Sequence, residues 1–228
     1  YSYLGNYNKA IELYSQAFEI NLKVFGEEHP NYATSLNNIA GCYSDLGDYN
    51  KAIEIHNLAI AIKEQTIGKG HPDYAVSLCN IATCFNELGE YNKAIEYHSN
   101  ALKILENSVG YKHHKYATVL NNIGLCYFDL GNYNKAFEFH SEAASINEQV
   151  LGSGHPDYAL DLNNIALCYY CLGDYNNALD YANLILKPID NNIILYDNNG
   201  KEIEGNKISE KLNVHEHFLV VHLLLDVT

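Results

Sequence analysis

Shifted by 42 residues, the chain falls on itself. Tyr1, Gly5, Tyr7, Lys9 and Ala10 become Tyr43, Gly47, Tyr49, Lys51 and Ala52, then Phe85, Gly89, Tyr91, Lys93 and Ala94, then Tyr127, Gly131, Tyr133, Lys135 and Ala136. The last copy keeps Tyr169, Gly173, Tyr175 and Ala178, with Asn177 in place of the lysine. Three further registers run without a gap: His29, His71, His113 and His155; Asn38, Asn80, Asn122 and Asn164; Cys42, Cys84, Cys126 and Cys168. An uninterrupted period of this size marks stacked units, each completing its core against its neighbours, and not a closed domain. Such a chain offers a surface more readily than a reaction centre.

Charge narrows the partners. The formal net charge is −14 and the sequence holds no arginine. Arginine is the preferred group for bidentate phosphate and base contacts, and an acidic surface repels a polyanion, so no nucleic-acid partner is expected. The one strongly apolar stretch, within 214–227, is interrupted by His222. A bilayer span needs about 20 apolar residues, so no membrane anchor is expected. The periodic cysteines lie one repeat apart, beyond an intervening helix. Packed helices are roughly 8–10 Å apart and a disulfide needs Cα atoms within about 7 Å, so reduced, core-filling cysteines and a cytoplasmic location are expected. The chain starts inside a repeat without an initiator methionine, which reads as a piece of a longer protein.

One repeat, His71–Lys112, carries the local logic. Pro72 suits a first helical position and Asp73 adds favourable negative charge in the first turn. Ala75, Leu78, Ile81, Ala82 and Phe85 recur at helical spacing until Leu88-Gly89 ends the helix. Tyr91 opens a second helix carried by Ala94, Ile95, His98, Ala101, Leu102 and Ile104, closing at Val109-Gly110. Ala82, Ala94 and Ala101 mark close helix approaches, where larger side chains would overpack by roughly 1–3 kcal/mol. The sequence therefore predicts a second helix alone in 1–28, four antiparallel helix pairs over 29–187, and a segment 188–228 with a possible hairpin over 193–204 around Asn199-Gly200.

The leucine, small residue, aromatic, glycine, tyrosine, alanine pattern resembles the tetratricopeptide repeat. The long unit, with Leu151-Gly152 and His155-Pro156 at its joint and Leu162-Asn163-Asn164-Ile165-Ala166 in its first helix, is similar to the kinesin light chain type. That resemblance implies an all-α, right-handed solenoid in which the first helices line a concave wall that binds an extended peptide. It also implies that asparagines at matching positions hold the peptide backbone. The groove candidates are Asn37 and Asn38, Cys79 and Asn80, Asn121 and Asn122, Asn163 and Asn164, followed by Ser44/Asp45, Asn86/Glu87, Phe128/Asp129 and Tyr170/Cys171. A short amide both donates and accepts, so a ladder of them can clamp a backbone without reading its sequence. The alternative is that the asparagines bond to one another or to neighbouring helices and set the repeat spacing.

The electrostatics depart from the family. Kinesin light chains are known for acidic cargo peptides met by basic groove residues, but Ser44/Asp45, Asn86/Glu87, Phe128/Asp129 and Tyr170/Cys171 stand at those places here. Thr34, Val76, Thr118 and Leu160 occupy the positions of the first lysines of a chaperone-tail clamp. Like charges in a shielded groove cost on the order of 1 kcal/mol each. A neutral-to-basic or aromatic-anchored protein or peptide partner is expected.

Residues that suggest chemistry are accounted for otherwise. Cys168 and Cys171 form a C-x-x-C at a helix C-terminus, where the dipole opposes a thiolate, whereas redox pairs favour a helix N-terminus. The histidines at 29, 71, 113 and 155 are a repeat apart and cannot converge on one metal. His56, His98 and His140 fall on apolar faces as packed side chains. His215-Glu216-His217 lacks the i, i+4 spacing of a metal helix. Aligning Gly200 with the glycine of a calcium loop puts Leu195 at the first ligand and Asn206 at the bidentate acid, so that site fails. No catalytic residue, metal or cofactor is expected. The leading expectation is a non-catalytic interaction scaffold or adaptor. The alternatives are a structural arm of a larger signalling protein and, third, a redox or metal protein using Cys168 and Cys171.

Overall fold

In a computed structural model, the structure describes residues 7–26, 29–186, 195–196 and 202–203. Among these residues the chain is all-α apart from one two-residue strand pair, with nine helices packed as sequential antiparallel pairs. Two compact units divide it, Tyr1–Tyr111 and Lys112–Thr228. The first holds α1 (Tyr7–Phe25), α2 (Pro30–Asp45), α3 (Tyr49–Thr66), α4 (Pro72–Glu87) and α5 (Tyr91–Ser108). The second holds α6 (His114–Asp129), α7 (Tyr133–Leu151), α8 (Pro156–Cys171) and α9 (Tyr175–Leu186). Also in the second unit, β1 (Leu195–Tyr196) and β2 (Glu202–Ile203) pair antiparallel, with Leu195 opposite Ile203. The remaining parts of 188–228, including the His215–His217 cluster, lie outside the described residues.

Helix boundaries follow from the sequence at each joint. The periodic histidines are N-caps: the Asp73 amide donates to His71 Nδ1 at 3.1 Å, and His29, His113 and His155 accept in the same way. An N-cap acceptor satisfies one of the four amides that a helix start leaves without partners. At the far end of α2, Gly47 takes φ 80°, its amide donates to Ser44 O, and the Asp48 amide donates to Tyr43 O. That closure needs a left-handed residue, which glycine supplies without a Cβ penalty. Asp48 then caps α3 by accepting from the Lys51 amide at 3.1 Å. Left-handed glycines recur at 26, 47, 68, 89, 110, 131, 152 and 173. A glycine with positive φ thus follows each of the helices α1 to α8.

The alanines form the helix contacts. Ala33, Ala40, Ala52 and Ala59 are fully buried in a cluster with Leu36, Ile55 and Cys84, flanked by Phe18, Tyr32 and Tyr43. In the second unit Ala144, Leu162, Ile165, Ala182 and Ile185 form the matching cluster beneath Phe137, Tyr169 and Tyr181. Cys42, Cys84, Cys126 and Cys168 are buried free thiols with raised pKa, so they pack as small apolar groups.

Candidate peptide-binding surface

Neighbouring positions on a helix differ by about 100° in direction, so two adjacent asparagines cannot face the same way. The first of each pair turns into the fold. Asn37 Nδ2 donates to Ser77 Oγ at 2.8 Å and its Oδ1 accepts from His56 Nδ1 at 2.9 Å, joining α2 to both α3 and α4. Asn121 Oδ1 accepts from His140 Nδ1 at 2.5 Å and from Asn164 Nδ2 at 3.0 Å, joining α6 to α7 and α8. Asn163 is buried. At Asn37 and Asn121 the asparagines therefore bond to neighbouring helices, one of the two alternatives the sequence left open.

The second of each pair lies nearer the surface. Asn38 is exposed and Asn80 and Asn122 are half-buried; Asn164 is buried at 7% exposure by its bond to Asn121. The same split recurs two turns later on α2, α4 and α6, whereas on α8 both Tyr170 and Cys171 are exposed. Ser44 Oγ is 3.1 Å from Cys84 Sγ, between α2 and α4. Phe128 and Tyr170 meet Tyr133 and Tyr175 edge-on at 5.2 and 5.4 Å, and Asn86 is half-buried. Asp45, Glu87, Asp129 and Cys171 are exposed. Glu87 accepts from the Tyr49 hydroxyl at 3.3 Å.

Apart from the buried Asn164, positions i, i+4, i+7 and i+11 of each first helix thus form an outward stripe on that helix. In the first unit it reads Thr34, Asn38, Gly41, Asp45 on α2 and Val76, Asn80, Thr83, Glu87 on α4. In the second it reads Thr118, Asn122, Leu125, Asp129 on α6 and Leu160, Asn164, Leu167, Cys171 on α8. Val76, Leu125 and Leu160 are each about two-fifths exposed, so the stripe mixes amides, apolar side chains and carboxylates. It carries no lysine. Leu125 was not among the sequence candidates; its spacing from Asn122 was the available signal.

The histidines that resemble ligands are structural. His56, His98 and His140 are at most 2% exposed, and burial lowers each pKa to about 4. His98 differs in one respect. Cys79 stands where Asn37 and Asn121 stand in the neighbouring repeats, and His98 Nδ1 is buried without a partner. Cys168 is pushed up to about 12 by burial and Cys171 is also raised, which leaves neither thiol poised as a nucleophile. Among the described residues no three histidine, cysteine or acidic side chains come together as a metal site, and no helix is long and apolar enough to cross a membrane.

Sequence reasoning missed a second polar register, at a separation of fourteen residues. Asn21 Nδ2 donates to Ser35 Oγ at 2.8 Å, Lys63 Nζ to Ser77 Oγ at 2.9 Å, and Asn147 Nδ2 to Asp161 Oδ2 at 2.7 Å. Each bond ties the end of a second helix to the start of the next first helix. Lys63, 5% exposed, also donates to Asp73 O, and burial lowers its pKa.

Sequence comparison with curated proteins finds no match. Solved structures resemble the fold at low identity. A putative kinesin light chain from Podosopora anserina with nearly identical tetratricopeptide-like repeats aligns at TM-score 0.69 and 22% identity, over 84% of this chain and 90% of that one. BtubC (BKLC) from P. vanneervenii aligns at TM-score 0.72 and 18% identity, over 97% and 89%. A Rap protein crystallised with competence and sporulation factor aligns at TM-score 0.68 and 21% identity, over 80% of this chain and 49% of that one. The sequence profile described as tetratricopeptide repeat matches residues 1–65, 59–107, 73–147 and 115–187. With helices that pair at those positions and joints that repeat every half-unit, this chain belongs to the tetratricopeptide repeat family.

Proposed function

We propose that the outward stripe of the first helices binds an extended peptide from a protein partner, and that the protein acts as a non-catalytic adaptor in the cytoplasm. Tetratricopeptide repeats are in general protein-interaction modules, and the Rap relative was crystallised with competence and sporulation factor. The observation that carries the reading is the make-up of the stripe. In the first unit Asn38 and Asn80 share the stripe with Val76, and in the second Asn122 shares it with Leu125 and Leu160, with Asp45, Glu87 and Asp129 at the C-terminal ends of their helices. Amides suit a peptide backbone, exposed aliphatics suit an apolar or aromatic anchor, and carboxylates at helix C-termini suit cationic side chains. The ligand is therefore neutral-to-basic and carries an apolar or aromatic anchor.

The test uses peptides selected on the protein from a displayed random library, each remade with every charged position as lysine or as glutamate. Fluorescence anisotropy at low salt should rank the lysine form tighter. Tighter binding of the glutamate form sinks the charge assignment. Joint Asn80→Ala and Asn122→Ala substitution should abolish capture with little change in melting temperature. Persistent capture with a lowered melting temperature would instead make these asparagines part of the scaffold.

A further inference from the structure

The fourteen-residue register is polar in three of its four copies, and buried Leu105 and Val119 fill the other. Ser35 Oγ accepts from Asn21 and donates to Asn31 O at 3.1 Å; Ser77 Oγ accepts from Lys63 and donates to Asp73 O at 3.4 Å. The group at this position both receives and gives a hydrogen bond. Asp161 occupies it on α8, and an ionised carboxylate can only accept.

Its surroundings favour the neutral form. Asp161 is 1% exposed, and its hydrogen-bond partner Asn147 is 3% exposed and uncharged. Asn147 Oδ1 is buried and has no donor. Among the described residues the charged group that acts on Asp161 is Asp157 on its own helix, which disfavours a second negative charge. From α7, Glu148 bonds to the Tyr158 hydroxyl, and from α9 Tyr181 acts on Tyr158; neither supplies a cation. A buried carboxylate without a cation is costly, while a carboxylic acid beside an amide can complete a second bond.

We propose that Asp161 is held as the neutral acid, donating its proton to Asn147 Oδ1 while Asn147 Nδ2 donates to Asp161 Oδ2, so that a proton latches α7 to α8. Deprotonation leaves two acceptors facing one another in a buried site. Because α8 also carries Leu160 and Asn164, the latch firms part of the outward stripe under mildly acidic conditions. Burial raises the Asp161 pKa to about 7, which places the release near neutrality.

The sign follows from proton counting. Between the unfolded aspartate value of about 4 and about 7, the folded state keeps a proton that the unfolded state has lost, so stability falls as pH rises through this window. Two variants isolate the effect. Asp161→Asn keeps a donor toward Asn147 without a titration, and Asp161→Ser rebuilds the Asn21–Ser35 pair. The ratio of wild-type to variant unfolding equilibrium constants, measured in urea, should rise about tenfold per pH unit between about 5 and 7 and level off above. Infrared spectra at about pH 6 should show a protonated-carboxyl stretch, shifted in D2O and absent from Asp161→Ser. A ratio that does not change with pH, or the absence of a carboxyl band that depends on Asp161, overturns the proposal.

Discussion

Asn121→Ala tests whether the first asparagine register belongs to the fold. The side chain accepts from His140 Nδ1 at 2.5 Å and from Asn164 Nδ2 at 3.0 Å. Both donors are buried, His140 at 0% and Asn164 at 7% exposure, and His140 Nε2 already lacks a partner. Removing the shared acceptor leaves two buried donors unsatisfied, each costing about 1–3 kcal/mol. Asn164 keeps some access to water, so its cost falls at the low end, and the sum comes to about 3 kcal/mol. For a chain of this length that lowers the melting temperature by about 6–12 °C. Asn122→Ala on the same helix truncates a half-buried amide nearer the surface, so its cost should stay within about 0.5 kcal/mol. Urea titrations of both variants, followed by far-ultraviolet circular dichroism, make the comparison. If Asn121→Ala loses less than about 1 kcal/mol, or Asn122→Ala loses as much, the division of the two registers is wrong.

Other outcomes can be checked with the same assays. Cys79→Asn should give His98 Nδ1 the acceptor that His56 and His140 have and stabilise the protein by about 1 kcal/mol; a fall in the urea midpoint would mean that the site cannot admit the amide. His71→Ala removes the α4 cap and should cost about 1 kcal/mol, whereas His71→Asn, another good cap, should recover most of it in thermal melts. His56, His98 and His140 have folded pKa values of about 4, below the unfolded value of about 6.5, so the unfolded state binds protons first. Their contribution is complete above about 6.5 and is lost as pH falls toward 4, at up to roughly 3 kcal/mol for each. His98→Gln should flatten part of that acid limb; an unchanged limb would show that its burial does not set the titration.

Much of the fold was legible in the sequence because it is local and repeated. The 42-residue period, His-Pro starts such as His71-Pro72, the leucine-glycine stops and the alanines at close contacts each act within a few residues of chain. The cysteines and histidines could be removed from consideration as chemistry for the same reason, since the period accounts for them. The roles of adjacent residues could not be separated in this way. Asn37 and Asn38, or Phe128 and Asp129, have equal standing in the pattern, and only helix rotation against neighbours sends one inward and the other outward.

By itself, then, the sequence determined the helical units, their joints and their acidic, arginine-free character, because capping, turn and helical preferences are set over short stretches of chain. The tertiary structure decided which polar groups are used up in holding helices together. The bonds from Asn37 to Ser77, Asn164 to Asn121 and Asn147 to Asp161 join different helices. Their partners become defined only when packing brings those faces within hydrogen-bond distance, and the same packing leaves Asn38, Asn80 and Asn122 nearer the surface.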